Sequence, residues 1–304
     1  MTFFGSVLAA TPIPKHPTTE MPYGPEIAFT IFLGIPVVIG VFFAIKHLLT
    51  GRGPLLAVCL IGGGIACLFE PIVDTLGLCY IREGASLTTF SSMGRDFPLF
   101  INFVYIWYVG GLAYLAYRIF SNGVTVKGLF QLYLMDVCIN IFLESPGVIM
   151  GAYEYYGPQP VNIWGLPLWW VFVNPIMPLT AGALIYRLKS HLPGWRIALV
   201  IPFIPMADGI GNGATAWPVW TALNLDASLW VTHLAWLLTV GLALTAVWVL
   251  SFIVARPDEE VPVKGKGAII KAAIFGVPEG DVPPPDITLP GGPRTEKEPV
   301  GAPA

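Results

Sequence analysis

Seven stretches of the chain are almost unbroken apolar sequence, each about as long as a bilayer is thick, with the charges gathered between them. Crossing about 30 Å of hydrocarbon takes about 20 helical residues. That length recurs near 27–49, 54–74, 98–120, 128–150, 168–187, 196–217 and 228–254. The expected fold is all-α, a polytopic membrane helix bundle with seven transmembrane helices. Around it the pattern predicts a lead-in over 1–26, a transmembrane domain over 27–254 and a tail over 255–304. The tail is rich in proline and has no long apolar run, so it reads as disordered. Within it, basic Lys264–Phe275 carries Ile269, Ile270, Ile274 and Phe275. That stretch fits an interfacial helix as well as it fits a loose piece of tail.

Composition supports the membrane reading. Hydrophobic residues make up 55% of the 304 and charged residues 12%, against about 25% charged in a soluble domain. The bilayer is therefore the expected surrounding, and the plasma membrane the expected location. Lys46, Arg52, Arg118, Lys127, Arg187, Lys189, Arg196, Arg256, Lys264, Lys266 and Lys271 fall on one side, and only Lys15, Arg82 and Arg95 on the other. The positive-inside bias places the N-terminus outside and the C-terminus inside. Topology accounts for these basic residues, so no nucleic-acid partner is expected. The four cysteines form no Cys-x-x-Cys pair, and no disulfide framework is implied. Oligomeric state is not legible in the pattern.

Carboxylates are the exception to the apolar pattern. Glu70 and Asp74 close the second stretch, Glu144 lies late in the fourth and Asp208 within the sixth. A charge in hydrocarbon costs roughly 2.5–3.5 kcal/mol on insertion scales, so such residues usually face a protected interior. Glu70 lies sixteen residues after Pro54, Glu144 sixteen after Gly128, and Asp208 twelve after Arg196. At about 1.5 Å per residue these are depths of roughly 24, 24 and 18 Å, which predicts one acidic cluster in the outer half of the bilayer. In the fourth stretch Tyr133, Asp136, Asn140, Glu144 and Gly147 recur at three- and four-residue spacing. They form one polar stripe that should look into the bundle.

Backbone-breaking residues interrupt the fifth and sixth stretches. Asn174-Pro175 and Pro178 lie in the fifth; Pro202, Pro205 and Asp208-Gly209-Ile210-Gly211-Asn212-Gly213 lie in the sixth. Proline and closely spaced glycines predict broken helix there. Such breaks line a cavity in transporters, but the glycines serve close helix packing equally well. Asn102, Tyr105, Asn140, Asn174, Asn212 and His233 are candidate substrate-binding groups at similar depth. Tyr156 and Trp170 belong to an aromatic run that serves either as an interfacial belt or as a lid, and Arg82, Arg95 and Asp96 are candidates to close the same mouth.

No cofactor is implied. The four histidines are scattered, so no zinc spacing appears, and no Glu-x-x-His or Gly-x-Ser-x-Gly motif is present. Carboxyl groups alone suit metal-free acid–base chemistry. Burial and like-charge neighbours separate the proton affinities of paired carboxyls, so that one acts as acid and the other as base or cation stabiliser. Glu144 is the candidate acid, Asp208 and Glu70 the candidate base or stabiliser, and Asp74 a tuning group.

Several segments carry a resemblance to a known family: Glu70-Pro71-Ile72-Val73-Asp74, Glu144-Ser145-Pro146-Gly147-Val148, Tyr155-Tyr156-Gly157-Pro158-Gln159-Pro160, and Trp169-Trp170 with Asn174-Pro175. Over about residues 25–255 the chain resembles the AveC-type spirocyclases, actinobacterial multi-pass membrane proteins. The resemblance implies acid-catalysed closure of an apolar dihydroxy-ketone polyketide to a spiroketal, as in secondary metabolism. An isoprenoid-like lipid suits the same chemistry. Two other classes stay open: a proton-coupled transporter or lipid-binding carrier, and a non-catalytic membrane subunit.

Overall fold

The computed structural model describes residues 14–225, 227–261 and 282–285. The interfacial helix expected over Lys264–Phe275 and most of the tail lie outside them. Among the described residues seven helices are long and apolar enough to cross a membrane: Tyr23–Leu49, Leu55–Gly77, Leu99–Ser121, Val126–Ile149, Leu168–His191, Gly194–Asn224 and Leu229–Val254. They are called spans 1 to 7 below, and the all-α membrane bundle expected from hydropathy is what they form. Span 5 is central and packs on spans 3, 4, 6 and 7, while span 2 packs between spans 1, 3 and 6. Lys46, Arg52, Arg118, Lys127, Arg187, Lys189, Arg196 and Arg256 end up at one side of the bundle, the basic side. The connections 78–98 and 150–167 cover the other, the capped side.

The helix breaks are not all where proline and glycine predicted. Span 5 is interrupted as expected, between Leu168–Val173 and Ile176–Leu188. Span 6 is not: after a tight first turn, Gly194–Leu199, it runs as one α-helix from Val200 to Asn224. Pro202 sits in that helix's first turn, where its missing N–H has no intrahelical acceptor to lose. Gly211 allows the backbone of span 5 at Met177 to approach closely, so this glycine serves packing. Beyond Pro218 the helix continues, the Val219 N–H turning to Thr239 Oγ1 of span 7 at 3.4 Å.

Spans 2 and 3 carry irregularities that the sequence reading missed. Span 2 is α-helical over Leu55–Ala66, tightens to a 3-10 turn at Cys67–Phe69 and resumes at Glu70–Gly77. Pro71 stands at the start of the resumed helix, where proline is tolerated. Span 3 opens to a π-helix over Tyr105–Gly111, a wide turn often found at functional sites. The two spans touch through Gly63 and Gly110. A Cβ at Gly63 would strike the Tyr105 carbonyl, and one at Gly110 the Cys59 carbonyl.

Both capped-side connections contain short antiparallel strand pairs where plain loops were expected. Cys79–Ile81 pairs with Tyr153–Tyr155, Thr88–Ser92 with Arg95–Pro98, and Asn162–Ile163 with Leu166–Pro167. The last two are hairpins whose two-residue turns, Met93-Gly94 and Trp164-Gly165, have positive φ at both positions, which matches the twist of the flanking strands. Glu26, buried in the first turn of span 1, anchors this cap. Its carboxylate accepts from Ser86 N (3.0 Å), Ser86 Oγ (2.9 Å) and Leu87 N (2.9 Å). On the basic side residues 282–285 lie against the bundle. The Tyr186 hydroxyl donates to Pro283 O at 2.9 Å, and the Val282 N–H donates to Ser121 O at 3.1 Å.

Candidate active site

Glu144 lies five residues before the end of span 4, on the stripe the sequence predicted. Its carboxylate Oε2 accepts from the Tyr153 hydroxyl at 2.6 Å, and the same hydroxyl lies 3.0 Å from the Glu144 carbonyl oxygen. Gly147 makes this possible. A Cβ there would overlap the Tyr153 ring, so only glycine lets the phenol lie flat on the helix and reach back one turn. Burial, with Glu144 alongside, pushes the Tyr153 and Tyr155 phenols well above the ordinary tyrosine range. Both therefore remain O–H donors.

Glu70 opens the resumed helix of span 2, and its Oε2 accepts from the Tyr105 hydroxyl at 2.6 Å. Tyr105 begins the π segment, brought within reach by the Gly63–Gly110 contact. One turn further along, Asp74 is 1% exposed and neither carboxyl oxygen has a hydrogen-bond partner among the described residues. The Cys79 thiol adjoins it, and Arg95 is the cation within electrostatic reach. Arg95 is itself held above the site by donating to Cys79 O at 2.7 Å.

Glu70, Asp74 and Glu144 line one cavity of about 40 Å³, walled by Phe100, Leu143, Tyr155 and Trp170. A second cavity of about 40 Å³ shares Glu70, Glu144 and Trp170 and continues to Tyr105, Tyr108, Asn174 and Asn212. Among the described residues no lysine, arginine or histidine lines either. Below them Asn174 Nδ2 donates to Asn140 Oδ1 at 2.8 Å, and Asn140 Nδ2 donates to the Tyr108 hydroxyl. Asp136 lies beside Tyr108. Polar groups thus run continuously from the capped side to the middle of the bundle.

Asp208 is near this cluster but not in it. It is fully buried, it lines neither cavity, and its Oδ1 accepts from Asn212 Nδ2 at 2.8 Å. Span 6 extends to Asn224, so Asp208 lies sixteen residues from its capped end, against seven for Glu70 and five for Glu144. Counted from the basic side, Asp208 is twelve residues past Arg196, against sixteen past Gly128 for Glu144 and sixteen past Pro54 for Glu70, so it stands about one turn farther from the cap than they do. Asn212, one turn nearer the cap, occupies the position expected of Asp208.

Three candidates are placed elsewhere. Asn102 donates to Gly64 O at 3.2 Å, tying span 3 to span 2. His233 bonds the Leu229 carbonyl of its own helix at 2.6 Å. Tyr156 faces Arg95 at 3.5 Å. None lines either cavity. Of the three groups expected to close the mouth, Arg95 is in place, whereas Arg82 faces Glu154 at 3.8 Å and Asp96 accepts from Ser91 at 2.5 Å. The sequence reading passed over Tyr153, Tyr155, Tyr108 and Cys79 as site residues. Period-two spacing could have found the first two, because Tyr153 and Tyr155 lie on one face of a strand. Tyr108 is three residues, about one turn, after Tyr105.

Two phenol-tethered carboxyl groups facing one apolar-walled space can pass protons to and from a small oxygen function. Each cavity holds a few waters, so a polyketide-sized molecule enters only if the aromatic cap moves. No family model, curated protein or solved structure matches the chain.

Proposed function

We propose that the chain is a cofactor-independent membrane cyclase acting on an apolar substrate, with Glu70 and Glu144 as its acid–base pair. The observation that carries this reading is that both carboxyl groups line one cavity, each tethered by a tyrosine hydroxyl. The resemblance to AveC-type spirocyclases supplies the substrate class, a dihydroxy-ketone polyketide. In such a reaction the proton-bearing carboxyl protonates the ketone oxygen while one substrate hydroxyl attacks, its proton passing to the ionised carboxylate. The hemiketal hydroxyl is then protonated and leaves as water. The second hydroxyl closes on the oxocarbenium ion and returns its proton, so one ketone and two hydroxyls become one spiroketal and one water. Asp74 supports the negative field around the cation, Tyr105 and Tyr153 orient the two carboxyls, and the walls exclude bulk water. Asp208 acts at one remove, holding Asn212 at the second cavity. The basic side faces the cytoplasm of a plasma membrane, in line with the positive-inside bias.

Metabolite profiling of a strain lacking the chain tests the proposal. Accumulation of an uncyclised hydroxy-ketone precursor is expected; an unchanged profile overturns it. A second reading, proton-coupled transport, draws on the run from Glu144 through Asn174, Asn140 and Tyr108 to Asp136. It is distinguished by solute flux in proteoliposomes under a pH gradient, with the solute recovered chemically unchanged.

A further inference from the structure

A cavity larger than the two acidic ones lies away from the acidic site. Spans 1, 2 and 3 enclose a groove of about 580 Å³ toward the basic side. Its walls are apolar, with Ile39 and Phe43 from span 1, Leu60 from span 2 and Trp107 from span 3. Ile39 is 51% and Phe43 41% exposed, so the groove opens sideways into hydrocarbon. Gly40 and Gly111 line it as well, and a Cβ at Gly111 would meet nothing closer than 3.8 Å, which leaves room for a chain.

The basic end has a different chemistry. Lys46, His47, Arg52 and Arg118 line it, and among the described residues no aspartate or glutamate does. Lys46 and Arg52 are exposed, whereas Arg118 is buried at 6% exposure and stands 5.8 Å over the Tyr114 ring. From Pro36 to Lys46 is ten residues, or about 15 Å along a helix, and one leaflet's hydrocarbon is also about 15 Å deep. The apolar part therefore has the length of an acyl chain in one leaflet, and the cations stand at headgroup depth.

We infer that this groove is a binding site for an anionic phospholipid, with an acyl chain along Ile39, Leu60 and Trp107 and the phosphate between Lys46 and Arg52. A soluble phosphate leaves the apolar walls uncovered, and a neutral lipid places no anion between the exposed Lys46 and Arg52. The site is separate from the acidic cavities and stands whether or not the proposed chemistry is correct.

Native mass spectrometry of the purified full chain, titrated with phosphatidylglycerol or phosphatidylcholine of the same acyl chains, tests this. Wild type is expected to bind phosphatidylglycerol at least about tenfold more tightly, given the attraction each Lys or Arg adds at a membrane surface. The Lys46→Gln/Arg52→Gln double variant removes exposed charge only and is expected to lose that preference. Gly111→Phe fills the groove and is expected to lose bound lipid of both kinds. Equal binding of the two lipids by wild type overturns the inference. So does a preference that survives in the double variant, or a dimer whose second copy fills the groove and excludes lipid.

Discussion

Hydrogen-bond satisfaction separates Glu26 from the two carboxylates proposed to be catalytic. Glu26 is 1% exposed, three donors from one loop occupy it, and its work is to hold the cap on span 1. Glu26→Ala leaves those donors without an acceptor and should cost about 3 kcal/mol, read from the thermal unfolding of the detergent-solubilised protein. Glu144 and Glu70 are tethered by phenols and keep accepting capacity turned toward a cavity. Tyr153→Phe should leave the fold intact and slow turnover about 10–100-fold, because the carboxyl loses its orientation but not its proton-transfer role. An unchanged rate in that variant would remove Tyr153 from the site. Glu26 was invisible to hydropathy reasoning because it sits at a span boundary, where a carboxylate is unremarked. Glu144 was legible because its stripe continues through Asn140 and Asp136.

At the scale of the element, close backbone contact and local helix irregularity build the site. Gly63 and Gly110 bring span 2 against the π segment of span 3, and the wide turn aims Tyr105 at Glu70. Gly110→Ala must push the spans apart and should cost about 1–3 kcal/mol, again measured by unfolding in detergent. Gly147→Ala should reproduce the activity loss of Tyr153→Phe, since the added methyl displaces the ring that holds the hydroxyl; full activity in a folded Gly147→Ala protein would contradict this. Little of this was legible. Proline and glycine density pointed to span 6, where the helix absorbs both. The tight turn at Cys67–Phe69 and the π segment have no such marker, because they depend on how two glycine faces pack. Pro71 marked the break in span 2, but beside an acidic pair it read as part of a span end.

At the scale of the whole molecule, apolar length was enough to place seven spans to within a few residues at most ends. It failed at the capped end of span 6, which runs past Pro218 to Asn224 and turns the Val219 N–H to Thr239 of a neighbouring helix. The cap was legible as aromatic loops but not as paired strands, since strands of two to five residues are fixed by their partners and turns. The bundle holds its carboxyl groups beneath an aromatic cap, with Glu144 and Glu70 on one cavity as the proposed proton-transfer pair. Complementation of a strain lacking the chain tests this most directly, by comparing wild type with Glu144→Gln and Glu70→Gln at matched membrane levels. Wild type is expected to restore the cyclised product while each variant falls by about 10²–10⁴-fold and leaves the open precursor; restoration of product to wild-type levels by Glu144→Gln would remove Glu144 from the pair.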